Sequence, residues 1–286
     1  MIYFNSDYLE GAHPEIMKRL AETNMVQTVG YGEDEYCASA RVRIRAACDA
    51  PDADIHFFSG GTQANTTVIA AILRPWQGVL SAASGHINCH EAGAIEATGH
   101  KGIALPTDDG KITARQIEDY VHWHRTDPSS DFIVQPGMVY ISHPTECGTL
   151  YTKSELTAIY DACQRCGLRL FIDGARLAKG RLLGIQFDAL FTDDLYLRIS
   201  RHAIDMAHQI REIFVSAGYP LLFDSPTNQQ YPILPDSDLA ELGKSFGYEY
   251  WERVDETHSG VRFCASWATT QENVDALRAA VQALKK

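Results

Sequence analysis

Apolar residues along the chain follow two rhythms. Apolar runs of strand length occur at 55–58, 79–82, 138–142 and 169–173, and helix-patterned stretches at 63–73, 113–123 and 153–166 lie between them. This alternation predicts βα units and therefore an α/β fold, with a mainly parallel sheet covered by helices on both faces. A longer helical pattern runs over 187–217, and the stretch 219–235 that follows it is rich in Pro and Asn. The texture changes there, so the reading divides the chain into a large α/β domain, 1–218, and a smaller α+β domain, 219–286. In the smaller domain, short strands are expected at 231–234, 248–253 and 261–265, and helices at 239–246 and 272–284.

Composition narrows the classes that remain. The chain has 286 residues, 45% hydrophobic and 22% charged, enough to bury a full core and unlike a disordered or fibrous protein. Its 37 acidic residues outnumber 25 basic ones for a formal charge of -12, the wrong sign for nucleic acid or an anionic membrane surface. Residues 1–7 lack the basic start and apolar run of a signal peptide, and no apolar run reaches the roughly 18 residues of a membrane span. With seven scattered cysteines, these features point to a cytoplasmic protein with reduced thiols. Cys163-x-x-Cys166 falls late in a predicted helix and has no second pair to complete a metal site, so it reads as two packing thiols.

In a parallel sheet, ligands gather where strands end. Ser59-Gly60-Gly61-Thr62-Gln63 joins a predicted strand to a predicted helix. It reads either as a phosphate cradle or as a glycine turn capped by Thr62; it is neither a Walker A loop nor a dinucleotide motif. Gly85-His86-Ile87-Asn88-Cys89-His90-Glu91 places two imidazoles, a thiol and a carboxyl after the next strand without matching a metal-ligand spacing. His86 stands nearest the strand end, where a flat ring could stack on a flat ligand. Asp173 closes an otherwise apolar strand, and an acid there asks for a cationic partner, either Arg176 or a protonated heterocyclic nitrogen.

Taken together with Asn5-Ser6-Asp7-Tyr8-Leu9-Glu10-Gly11-Ala12-His13-Pro14 and Gly30-Tyr31-Gly32-Glu33-Asp34, the motifs Gly60-Gly61-Thr62, Gly85-His86-Ile87 and Ile172-Asp173-Gly174-Ala175-Arg176 occur in the order found in threonine aldolases. The chain resembles that pyridoxal-phosphate-dependent, beta-eliminating lyase family over most of its length. The resemblance implies the aspartate-aminotransferase-like fold (fold type I) and a homodimer or homotetramer with shared active sites. It implies that Gly61, Thr62 and Gln63 hold the phosphate of pyridoxal 5'-phosphate, that His86 stacks on the ring, and that Asp173 pairs with the ring nitrogen. Ser6, Arg176 and Arg262 fall at positions that bind the carboxylate of an amino-acid substrate. The implied reaction is retro-aldol cleavage of a β-hydroxy-α-amino acid to glycine and an aldehyde, with His86 or Glu91 acting on the hydroxyl directly or through water. Elimination of tryptophanase type is a further reading.

One departure stands out. The family's Schiff-base lysine lies downstream of the Asp-Gly-Ala-Arg strand, on a turn that this chain lacks. Its eight lysines are 18, 101, 111, 153, 179, 244, 285 and 286. A segment of some dozens of residues is expected to be absent between Leu177 and Ala178, and a parallel crossover of about a dozen residues or more is expected where the sequence runs almost directly into a helix. Three readings follow: a longer molecule that contains the segment, a non-catalytic relative that binds ligands non-covalently, or Lys179 in the lysine's role.

Overall fold

The computed structural model describes residues 1–174 and 181–285. In chain order its strands are β1 (Ile2–Tyr3), β2 (Gln77–Ala82), β3 (Gly102–Leu105), β4 (Gln135–Ser142), β5 (Arg169–Asp173), β6 (Gln229–Gln230), β7 (Ile233–Pro235), β8 (Phe246–Gly247), β9 (Glu249–Arg253) and β10 (His258–Cys264). Its helices are α1 (Pro14–Thr23), α2 (Glu35–Ala47), α3 (Gly61–Ile72), the single turn α4 (His86–Cys89), α5 (Ala114–Thr126), α6 (Lys153–Cys166), α7 (Arg181–Leu190), α8 (Leu195–Ser216), α9 (Asp236–Leu242) and α10 (Gln271–Ala283). The chain forms two compact units, Phe58–Ala178 and Met1–Phe57 with Lys179–Lys286.

The first of these units carries the parallel sheet, in the order β3-β2-β4-β5. Successive side chains of a strand point to opposite faces. Leu80, Val139 and Ile141 accordingly join Ile117, Val121, Ile159 and Cys163 from α5 and α6 in one core layer. Val79, Met138 and Tyr140 pack with Ile69 of α3, with Leu73 just past its end and with Ile87 of α4 in the other. The sheet is thus covered on both faces, as the unbroken apolar strands require. Both α5 and α6 open on a capping box, Thr113 with Gln116 and Thr152 with Glu155, which satisfies the first orphan amides of each helix. Cys163 and Cys166 are buried on the inner face of α6, and burial pushes the Cys163 thiol up to about 11.

Chain order places β3 on one side of β2 and β4 on the other. Connections leave the sheet in opposite directions between β2 and β4, and the crevice at such a switch point is where open α/β sheets bind ligands.

In the second unit, α8 and α10 pack on the antiparallel strands around β10 through Ile210, Phe214, Phe263, Val274 and Leu277. Three local expectations are corrected here. Residues 55–58 are not a strand: the Ile55 carbonyl accepts Arg41 Nε at 3.2 Å, and the Phe57 ring lies beneath the same guanidinium and stacks on Phe187. The helical pattern over 187–217 is two helices, because Asp193 and Asp194 take left-handed conformations at φ 50° and 55°. The helix expected over 239–246 ends at Leu242, and Phe246 and Gly247 instead pair in parallel with Ile2 and Tyr3.

Candidate active site

Three adjacent strands, β2, β4 and β5, deliver their carboxyl ends to the switch point. After β2 the chain turns at once, the Gly85 amide donating to the Ala82 carbonyl at 2.8 Å. Position 85 has no room for a side chain: a Cβ there would lie 2.3 Å from Ser81 Oγ and 3.0 Å from the Ala82 carbonyl oxygen. The tight turn starts α4 with His86 as its first residue.

His86 Nδ1 lies 2.7 Å from Glu91 Oε1. The Glu91 side chain is 0% exposed, and among the described residues its buried Oε2 has no hydrogen-bond partner. The hydrogen bond to Glu91 raises the pKa of His86 above its ordinary value, with Glu146 and Asp173 adding to the effect and burial opposing it. With Nδ1 committed to a carboxyl, Nε2 is the nitrogen that accepts a proton when the ring is neutral.

The ends of β4 and β5 are paired in register, Tyr140 with Phe171 and Ser142 with Asp173. The fully buried Tyr140 hydroxyl donates to Asp173 Oδ2 at 2.6 Å. Burial, followed by the charge of Asp173, pushes that phenol far above its usual range, so it remains a donor. Ser142 Oγ donates to Glu146 Oε1 at 2.5 Å, and Glu146 also accepts the backbone N–H of His86. Burial raises the Glu146 carboxyl above the ordinary carboxylate range. Asn65, on α3 and 1% exposed, donates to Glu91 Oε1 at 2.6 Å and to Asp173 Oδ2 at 3.0 Å. One hydrogen-bonded network therefore joins His86, Glu91, Asn65, Asp173 and Tyr140, with Ser142 and Glu146 beside it.

Gly61, Thr62 and Gln63 form the first turn of α3, one turn ahead of Asn65. Thr62 is not the cap: Gly60 is, and no side chain satisfies the opening amides, which leaves the positive end of the helix available to an anion. Gln63 Oε1 folds back to accept the Ser59 amide at 2.7 Å. Arg176 lies outside the described residues, as do the Leu177–Ala178 junction and Lys179. Ser6 and Arg262 belong to the other unit, where Arg262 Nη2 donates to the carbonyl of Asn5, next to Ser6. The Arg262 guanidinium also lies over the Trp251 ring, and among the described residues its buried Nε has no hydrogen-bond partner.

No described lysine hydrogen-bonds to this network. Lys101 precedes β3 at the amino-terminal end of the sheet, Lys111 pairs with Glu155 and Asp109, and Lys153 opens α6. Lys18, Lys244 and Lys285 lie in the other unit.

Asn65, Tyr140, Ser142 and Glu146 were not anticipated as site residues. Two of them had a signal. A tyrosine inside a buried strand needs a partner for its hydroxyl, and an asparagine within a helix is a poor helix former that asks for another reason to be there.

Chemically, the cluster can receive a planar ring that carries a cationic N–H. The acid at the strand end suits such a nitrogen, and the His86 imidazole suits a ring face.

Comparison with known proteins points the same way. Residues 4–216 match the family model described as beta-eliminating lyase. The chain is 26% identical to a low-specificity L-threonine aldolase of Pseudomonas aeruginosa over 95% of this chain and 94% of that protein. It is 30% identical to a protein of the same description from a Pseudomonas species over 62% of this chain and 50% of that one. The solved structure of a Leishmania major threonine aldolase superposes with a TM-score of 0.95 at 34% identity, covering 100% of both chains. A Sphingomonas wittichii serine palmitoyltransferase superposes with a TM-score of 0.69 at 10% identity, over 99% of this chain and 86% of that one, a likeness of fold alone. The α/β architecture is the fold-type-I arrangement expected from the sequence, and the chain belongs to the beta-eliminating lyase family.

Proposed function

We propose that this protein is a lyase of threonine-aldolase type, which cleaves β-hydroxy-α-amino acids such as threonine or allo-threonine to glycine and an aldehyde with pyridoxal 5'-phosphate as cofactor. The observation that carries the reading is Asp173, an acid at the end of β5 gripped by Tyr140 and Asn65 in the same network as His86 and Glu91. A carboxyl so held suits a protonated ring nitrogen. The uncapped first turn of α3 suits a phosphate, and the buried, unpartnered Oε2 of Glu91 is an acceptor with no structural employment.

When bound, the cofactor supplies an electron sink for cleavage at the substrate Cα. The chain's own residues do the rest. Gly61, Thr62 and Gln63 offer their amides to the phosphate. Asp173 keeps the ring nitrogen protonated, and His86 covers the ring. Ser6, Arg176 and Arg262 are the proposed carboxylate-binding positions, and the unpartnered Nε of Arg262 is a donor suited to that task. The proton of the β-hydroxyl passes to His86 Nε2 or to Glu91, directly or through water.

We further propose a cytoplasmic homodimer or homotetramer whose functional domains divide at 218/219. Among the described residues, no helix is long and apolar enough to cross a membrane.

The test is to incubate the purified protein and cofactor with L-threonine, L-allo-threonine and phenylserine, and to measure glycine and aldehyde. Stoichiometric release of both supports the reading. Cofactor binding without cleavage of any of the three overturns it in favour of a non-catalytic relative. That alternative has its own footing, because no described lysine joins the network.

A further inference from the structure

We propose that Asn65 is a positioning residue that couples the two halves of the site, holding the acid meant for the ring nitrogen and the acid that orients His86 with a single amide group. The proposal rests on the lyase reading for its purpose but on geometry for its existence. Asn65 Nδ2 has two hydrogens, and the two acceptors are on different residues: Glu91 Oε1 at 2.6 Å and Asp173 Oδ2 at 3.0 Å. Those oxygens therefore lie within about 5.6 Å of each other, the sum of the two bonds. Two acids this close repel, and a neutral group that donates to both offsets the repulsion while fixing their spacing. Asn65 is 1% exposed, so water does not compete for its hydrogens.

The two acids have different duties. Glu91 Oε1 also meets His86 Nδ1, and Asp173 Oδ2 also receives the Tyr140 hydroxyl. Asn65 is thus the link through which displacement of one acid is felt by the other. It sits on α3, whose first turn is the proposed phosphate cradle, so the same helix ties the anion end of the site to both acids. An aspartate at this position would remove both donors and add a charge. An alanine or leucine would leave the acids facing each other unbridged.

The readout is the titration of His86, followed by NMR in the full chain without added cofactor. The groups that face His86 are Glu91, Glu146 and Asp173, together with the ring of His90 5.5 Å away. In Asn65→Leu, close in size to the native residue, Glu91 loses a donor and attracts the imidazole proton more strongly. The pKa of His86 should rise by about half a unit or more. Tyr140→Phe removes a donor from Asp173 alone and should move His86 by less than half as much. Asn65→Ser keeps one donor, should give an intermediate shift, and serves where the leucine variant fails to fold. Pyridoxal phosphate affinity, titrated by its absorbance, should fall about tenfold or more in Asn65→Leu.

An unmoved His86 in both Asn65 variants would overturn the proposal and leave Asn65 as packing. A shifted His86 in a protein that cleaves none of the three amino acids would uphold the coupling while the lyase reading fails, so the two failures are distinguishable.

Discussion

The turn that aims His86 is tested by Gly85→Ala. The added Cβ would stand 2.3 Å from Ser81 Oγ and 3.0 Å from the Ala82 carbonyl, the closer contact roughly 1 Å inside an ordinary van der Waals separation. Ser81 is fully buried on β2, so neither the strand nor the turn can yield freely. Overpacking of this kind costs about 1–3 kcal/mol. At about 2–4 °C per kcal/mol, the melting temperature should fall by roughly 2–12 °C. If the strain is relieved by moving α4 by about 1 Å, His86 moves with it, and misplacement on that scale costs about a hundredfold in kcat. A second substitution relieves the contact. Ser81→Ala deletes the closer of the two atoms and leaves 3.0 Å to the carbonyl and 3.6 Å to Ser81 Cβ, at the cost of the weak bond from Ser81 Oγ to Ala82 at 3.3 Å. The double variant should recover most of the lost stability and activity, measured by thermal unfolding and by glycine release. A Gly85→Ala protein as stable and active as the parent, or a double variant no better than Gly85→Ala, would refute the steric account of the turn.

Other consequences are open to measurement. Because its bond to Glu91 raises the pKa of His86, the pair's stabilisation is fully present below about pH 6.5 and is lost as pH rises through the raised value. Glu91→Gln should therefore lower the melting temperature more at pH 6 than at pH 9, and bring the His86 pKa down by NMR. Glu146 has its carboxyl raised by burial, so its charged form is costly in the folded state. Glu146→Gln should raise the melting temperature at pH 8–9 and change little at pH 4; the reverse order would contradict that cause. Asp173→Asn removes a charge-assisted hydrogen bond worth about 1.5–3 kcal/mol and should weaken pyridoxal phosphate binding by roughly 10- to 150-fold. Borohydride reduction of cofactor-loaded protein, followed by peptide mapping, should leave no adduct on Lys18, Lys101, Lys111, Lys153, Lys244 or Lys285. An adduct on any of these would overturn the placement of the lysines given above.

What could be read from the sequence follows the range of the interactions involved. β5 was delimited to the residue, because an apolar run bounded by Gly167 and Gly174 has one register that buries it. α6 was equally legible, since Thr152 and Glu155 announce its start and Gly167 its end. β3 escaped notice because Gly102 to Leu105 is four residues long, and its strand character comes from pairing with β2. The segment 55–58 misled because an apolar run looks the same whether it pairs with a strand or lies under an arginine. Of the site, His86, Asp173 and the Gly61–Gln63 turn were legible, since each stands at a strand end or a helix start. Asn65, Tyr140, Ser142 and Glu146 were not. Their roles are set by which strands lie side by side, and the order β2-β4-β5 is a long-range fact that local pattern does not carry.

The same topology sharpens the question of the lysine. The alignment with the Pseudomonas aeruginosa protein runs over 334 positions, whereas 95% of this chain is about 272 residues, so about 60 positions have no counterpart here. Among the described residues β5 pairs with β4 alone, and Ile172 near its end is 44% exposed, unlike the interior strands of a sheet buried on both faces. The polar network at the strand ends includes Glu91, an acid with a 0% exposed side chain. Burying a carboxyl that deeply costs several kcal/mol unless something compensates, and packing alone would favour an apolar residue there. The acids therefore speak for a site shaped around a ligand even where the described lysines do not join it. Under the proposed function, cofactor affinity rests on Asp173, Asn65 and the opening turn of α3, a network that no described lysine joins.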